Sequence, residues 1–166
     1  MWGEMVGIAA KGTTAIAVKS RDSEAWHTAR YGDPIHETSD GDWKVRIDKM
    51  GVTSIRLGVM QMINQTATTG MNWFDRSNVG SVWYIGNGVF TGDQRERSTH
   101  TSAVTSGYGE GDVVGVHLRG KLLHFSKNGL DIPGKLQRSG SVYFSVQMCT
   151  AGDQVTVLSK SKDTER

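Results

Sequence analysis

Five histidines, one cysteine and 17 carboxylates are the side chains of this 166-residue sequence with the chemistry to bind metal, attack an electrophile or move a proton. Their spacing argues against each of these roles. His27, His36, His100, His117 and His124 fall into no H-x-x-H or H-x-x-x-H pattern of a metal site. His117 and His124 flank Arg119-Gly120, which reads as a two-residue hairpin loop, so their rings are expected to face each other across two strands. Two such ligands are too few for a metal site. The six glutamates (Glu4, Glu24, Glu37, Glu96, Glu110, Glu165) are isolated, and none alternates with another acid inside an apolar run. The paired carboxylates of a glycosidase are therefore not expected. A single cysteine, Cys149, excludes an intramolecular disulfide and a multi-cysteine zinc site, and its place at the end of an alternating run reads as packing. No G-x-S-x-G, P-loop or G-x-G-x-x-G occurs. Gly107–Gly111 is glycine-rich but precedes a strand pattern, so no helix N-terminus is there to cradle a phosphate. The chain is expected to be no enzyme and to need no cofactor or metal.

Binding chemistry is better represented. Met71-Asn72-Trp73-Phe74 stands beside Asp75-Arg76 in a long connection, Gln61–Gly80. An aromatic pair in a loop either tucks under it or is displayed as an anchor, and Trp is enriched at interface hot spots. Asn72, Trp73 and Asp75 can also be read as a sugar platform, which makes a carbohydrate-binding, lectin-like sandwich the alternative reading. The segment Arg21–Asp33 adds Trp26, Arg30 and Tyr31, with Arg30 suited to grip a carboxylate through two hydrogen bonds. Gly92–Arg97 is a mixed-charge stretch whose two arginines flank a glutamate, and it reads as a solvated loop.

The elements that must position these residues are strands. Trp43, Val45 and Ile47 alternate with Lys44, Arg46 and Asp48. Ile55, Leu57 and Val59 alternate with Ser54, Arg56 and Gly58. Val114, Val116 and Leu118 alternate with Val113, Gly115 and His117, and Val142, Phe144, Val146 and Met148 with Tyr143, Ser145 and Gln147. Period two puts one set on a core and predicts that the other meets water. Shorter runs lie at Ala15–Val18, Val82–Ile85, Leu122–Phe125 and Val155–Leu158. No helical periodicity is sustained over 11 residues. The sequence has 21 Gly and 2 Pro, against about 12 and 8 at average usage. Such a bias suits many tight turns, as at Lys127-Asn128-Gly129 and Ala151-Gly152-Asp153. Frequent short strands with turns between them predict a β-sandwich or barrel. The connections Gln61–Gly80 and Gly86–Glu110 are long enough to be functional loops. A net charge of +2 argues against a nucleic-acid binder. No window is apolar enough for a membrane span, and Met1–Lys11 does not have the form of a secretory signal. An intracellular, cytoplasmic setting is therefore expected. One domain over 1–160 with a frayed polar tail at 161–166 is expected from length and composition.

A family resemblance rests on an ordered set of segments. Gly111–Leu118 (GDVVGVHL) followed by Gly120–Gly129 (GKLLHFSKNG) resembles the paired strands of SPRY (B30.2-like) domains. Gly41–Asp48 (GDWKVRID), Ile55–Val59 (IRLGV), Val82–Gly88 (VWYIGNG) and Val142–Val157 are similar to further SPRY segments in the same order. The resemblance covers roughly residues 13–158, without a PRY extension. It implies an all-β, bent β-sandwich of two antiparallel sheets, a concanavalin-like jelly roll. It also implies a non-catalytic protein–protein interaction module that binds a peptide or partner loop through loops at one end of the sandwich. On that reading the partner-binding residues are Trp26, Arg30, Tyr31, Met71, Asn72, Trp73, Thr150, Ala151 and Gly152, on the loops Arg21–Asp33, Gln61–Gly80 and Thr150–Asp153. The expected partner is a protein or peptide, and the domain is expected to be monomeric, alone or within a longer multidomain chain or complex. A structural subunit that buries a sheet face is a further alternative, disfavoured by the polar outward faces of the strands. Within the signature, Phe125 is expected in the core, Asn128-Gly129 in a turn, and Asp112 at a strand entry where it accepts backbone N–H bonds.

Overall fold

The structure is a computed structural model that describes Trp2 and residues 8–11, 13–19, 27–52, 54–61, 82–85, 89–91, 102–103, 107–138 and 140–160. Among these residues every regular element is a strand: β1 (Ile8–Lys11), β2 (Thr13–Lys19), β3 (His27–Ile35), β4 (Gly41–Lys49), β5 (Ile55–Gln61), β6 (Val82–Ile85), β7 (Val89–Thr91), β8 (Ser102–Ala103), β9 (Val113–Arg119), β10 (Leu122–Lys127), β11 (Leu130–Asp131), β12 (Leu136–Gln137), β13 (Val142–Met148) and β14 (Gln154–Lys160). They form two antiparallel sheets. The front sheet has the order β1-β2-β14-β4-β9-β10-β11, with β12 also paired to β10; the back sheet is β3-β13-β5-β6-β7-β8.

The core lies between the sheets and is built from the apolar member of each alternation. Trp43, Val45 and Ile47 of β4 lie with Val114, Val116 and Leu118 of β9, Leu123 and Phe125 of β10, and Val155 and Val157 of β14. Ile55, Leu57 and Val59 of β5 and Val142, Phe144, Val146 and Met148 of β13 close it from the back sheet. Full burial of each large side chain contributes about 1.5–3 kcal/mol. The Trp43 and Phe144 rings stack at 5.1 Å between centroids, joining the two sheets. A Cβ on Gly41 would meet the Trp43 indole at 2.6 Å, so glycine there makes room for that ring.

The hairpins follow their turn chemistry. Arg119 pairs with Leu122, so the loop is Gly120-Lys121, one residue later than the sequence suggests, with a positive φ of 55° at Gly120 alone. That is the pattern of a II′ turn. Asn128 and Gly129 both have positive φ (50° and 83°) between Lys127 and Leu130, as a I′ turn requires. Asp112 accepts from the Gly109 N–H and from Asn128 Nδ2, each at 2.9 Å, and Asn128 Oδ1 accepts from the Val113 N–H. Partial burial would raise the Asp112 pKa, but the bonds from Asn128 and Gly109 and the Lys127 charge outweigh it and lower it. At the end of the sandwich carrying Gly120-Lys121, the buried Arg138 guanidinium donates to the carbonyls of Gly120 (2.8 Å), His36 (2.8 Å), Ser39 (2.9 Å), Ile35 and Gly140 (both 3.3 Å). This one side chain ties three connections together.

Three expectations need correction. The segment Arg21–Asp33 is not all loop, because His27–Ile35 is strand β3, with Ala29 opposite Val146 and Arg30 opposite Ser145. Gly32 and Pro34 hide it in the sequence. Both are tolerated because β3 is an edge strand whose pairing with β13 is shifted between Val142 and Phe144. The connection Gly86–Glu110 likewise holds the short strands β7 and β8, too short to display an alternation. The third concerns the outward faces of β5 and β13. Arg56, Ser145 and Gln147 point away from the core as the alternation requires, yet all three are buried.

Candidate functional site

The strand directions decide which connections can meet. β13 ends at Met148 beside His27 and Ile55, so the turn 149–153 and the connection entering β3 belong to one end of the back sheet. Gln61 and Val82, which bracket the Gln61–Gly80 connection, lie beside Val142 and Val59, toward the opposite end. The attachment points of the three expected rims are thus split between the two ends. Trp26, Met71, Asn72 and Trp73 lie outside the described residues, as do Phe74 and Asp75 of the sugar-platform alternative.

The turn end is a built structure. Asp153 is 2% exposed, and its carboxylate accepts from the Gly51 N–H (2.9 Å), Ser54 Oγ (2.8 Å) and the Thr150 N–H (2.9 Å). Backbone bonds add Lys19 N–H to the Asp153 carbonyl, Gly152 N–H to the Lys19 carbonyl and Cys149 N–H to the Ser54 carbonyl. Three donors on one buried carboxylate hold the β13–β14 turn against the β4–β5 connection. Between them lies a depression of about 230 Å³ lined by Lys49, Met50, Gly51, Glu110 and Thr150–Asp153. Glu110 Oε1 accepts from the Met50 N–H at 3.2 Å. Thr150, Ala151 and Gly152 are exposed on this rim, and Val52 at the neighbouring loop tip is 95% exposed.

Arg30 and Tyr31 are adjacent in β3 and so point to opposite faces. Tyr31 turns to the core, edge-on to Trp2 (4.9 Å) and Phe144 (6.4 Å). Arg30 lies on the outer face of the back sheet with its guanidinium carbon 4.9 Å from the Tyr143 ring centroid, a cation–π distance. Its Nε is buried and has no hydrogen-bond partner. Beside it runs a buried polar chain: Arg56 Nη1 donates to Gln147 Oε1 (3.2 Å), and Gln147 Nε2 donates to Thr28 Oγ1 (3.1 Å). Burial pulls the Arg56 pKa down to about 10, against the opposing influence of Tyr108 and Cys149, so Arg56 still carries its charge at neutral pH.

The outer face of the front sheet holds an arrangement that the sequence reading does not find. The His117 and His124 rings do face each other, stacked at 4.7 Å. His117 also contacts Asp42 through Nδ1 (2.7 Å) and Ser126 through Nε2 (2.9 Å). Arg119 Nη2 bonds both Asp42 oxygens at 2.9 Å. Partial burial would raise the Asp42 pKa, but hydrogen bonds from Arg119 and His117 prevail and lower it. Ser126 was legible only as part of a turn signature. The missed signal is its spacing of two from His124, which puts both on one face. Among the described residues no group of three or more His, Cys, Asp or Glu is placed to hold a metal ion.

No family model matches the sequence, and the comparison with curated proteins finds no match. Solved structures do match. The SPRY domain of human HERC1 is similar with a TM-score of 0.68 at 16% identity, covering 92% of each chain. A human SPRY domain aligns with a TM-score of 0.72 at 17% identity, covering 93% of this chain and 96% of that one. The TRIM65 PSpry domain gives 0.55 at 13% identity, covering 92% and 86%. Two antiparallel sheets in this order, with these likenesses over nearly the whole chain, give the protein the SPRY-domain fold.

Proposed function

We propose that this chain is a non-catalytic recognition module that docks a partner protein or peptide at the turn end of its sandwich and at the adjoining edge strand β3. The observation that carries this reading is the Asp153 lock. Loops held by buried hydrogen bonds before a partner arrives lose little freedom on binding. Thr150, Ala151 and Gly152 offer backbone groups beside the depression. Arg30 stands three residues along β3 from the strand's start, about 10 Å away, and offers a guanidinium to a carboxylate. Trp26 immediately precedes β3 and belongs to the same rim by chain position. Met71, Asn72 and Trp73 belong to the Gln61–Gly80 connection, which attaches toward the other end of the back sheet, and the proposal makes them a second contact with the partner, with Trp73 as its aromatic anchor. Tyr31 supports the surface from beneath, through its packing on Trp2 and Phe144. An intracellular setting suits such a module, and among the described residues no helix is long and apolar enough to cross a membrane.

The test is quantitative affinity capture followed by titration of the recovered partner with wild type, Arg30→Ala and Trp73→Ala. Trp73→Ala is expected to weaken binding by about 2 kcal/mol, roughly 30-fold, with an unchanged melting temperature. Full recovery by both variants would contradict the assignment, and specific retention on a glycan array would favour the sugar-binding alternative.

A further inference from the structure

On three adjacent strands of the front sheet Asp42 (β4) stands directly opposite His117 (β9), and Ser126 (β10), which pairs with Gly115, lies diagonal to His117 on the same outer face. Asp42 is an acceptor, so in the neutral imidazole the 2.7 Å contact sets the proton of His117 on Nδ1. Nε2 is then the bare nitrogen, and the Ser126 hydroxyl donates to it at 2.9 Å. This is the order of roles that activates a serine, recognised by geometry rather than by position in the chain. The surroundings hold the array still. Arg119 grips both oxygens of Asp42, and His124 stacks on the His117 ring with 24° between planes. Gly115 lies opposite Ser126 in the ladder, and a Cβ there would collide with Ser126 Oγ and His117 Nε2. Glycine at 115 is thus what lets the serine reach the histidine. Lys44, exposed on the same face, stands directly opposite Gly115 on the other side.

We infer that Ser126 is an activated nucleophile that takes up the acyl group of an activated ester. The Ser126 Oγ attacks the carbonyl carbon and its proton passes to His117 Nε2. The acyl–oxygen bond of the ester breaks, the leaving alkoxide or phenoxide departs with its electron pair, and His117 returns the proton to it or to solvent. Ser126 is left as an ester. The backbone N–H groups that pair β9 with β10 serve the sheet ladder and form no oxyanion hole. Loss of an oxyanion donor costs on the order of 10²–10³ in rate, so stoichiometric acylation is expected rather than rapid turnover. The inference is independent of partner docking at the turn end.

The experiment is incubation of the full chain with p-nitrophenyl acetate, following p-nitrophenolate release and locating the acetyl group by peptide mass spectrometry. A burst of one equivalent with the acetyl group on Ser126 is expected. Ser126→Ala is expected to melt near wild type and to lose the burst. His117→Gln should slow it about 100-fold or more, the scale of general-base assistance. Asp42→Asn should slow it too, and Asp42→Glu should recover part of the loss. An acetyl group found only on lysines, an equal burst in folded Ser126→Ala, or no adduct on wild type overturns the inference. If His117→Gln fails to fold, Ser126→Ala against wild type decides the matter.

Discussion

The two outer faces of the sandwich are built from the same alternation and end in opposite environments. On the front sheet most outward residues are exposed or half-buried and pair with one another, Ser126 at 8% exposure being buried. Arg46 is 47% exposed and donates to Asp48, which also takes bonds from Thr156 and Gln154. On the back sheet the outward residues Thr28, Arg56, Met60, Ser145 and Gln147 are buried, with Arg56 only 4% exposed. Period two tells which side chains leave the core. It does not tell what waits on the far side, because that depends on chain far away in sequence.

The sharpest perturbation tests the layer both faces share. Phe144→Ala removes the ring that stacks on Trp43 and should cost about 3–5 kcal/mol, measured by urea unfolding. A smaller loss would mean that the sheets are held elsewhere. The next separates the faces. Gln147→Leu takes an acceptor from the buried Arg56 guanidinium and should cost about 1.5–3 kcal/mol, whereas a value near zero would make the back face as permissive as the front.

Acid probes the front face. Burial raises the Asp48 pKa, but bonds from Thr156, Arg46 and Gln154 outweigh it and lower it, and Asp42 and Asp112 are lowered as well. A folded-state pKa below the unfolded one gives stability that is complete above the ordinary carboxylate value. That stability is lost as pH falls through the lowered one. The melting temperature should therefore fall below about pH 4, and Asp48→Asn should flatten that slope. The smallest effect is expected from Arg46→Ala, under about 1 kcal/mol and fading with added salt.

Much of the fold was legible because β4, β5, β9, β10, β13 and β14 show their core side as clean alternations of Val, Ile, Leu and Phe. Phe125 in the core, Asn128-Gly129 in a turn and Asp112 at a strand entry follow from local chemistry, and all three are found. β3 was not legible, since its Ala29 and Tyr31 are too weak a core signal beside Gly32 and Pro34. The candidate site was legible in part. The turn at Thr150–Gly152 reads directly from its small residues, but its lock does not. Asp153 finds Gly51 and Ser54 about a hundred residues away, a partnership set by the topology. The same holds for Asp42 and Ser126, which the register of three strands brings to His117.

Hydrogen–deuterium exchange of the chain, free and with its captured partner, tests recognition at the turn end most directly. The account predicts added protection at the 149–153 turn, the Gly51–Ser54 connection and β3 around Arg30, with the front-sheet face around Asp42 and His117 unchanged. Protection confined to β4, β9 and β10 would contradict it.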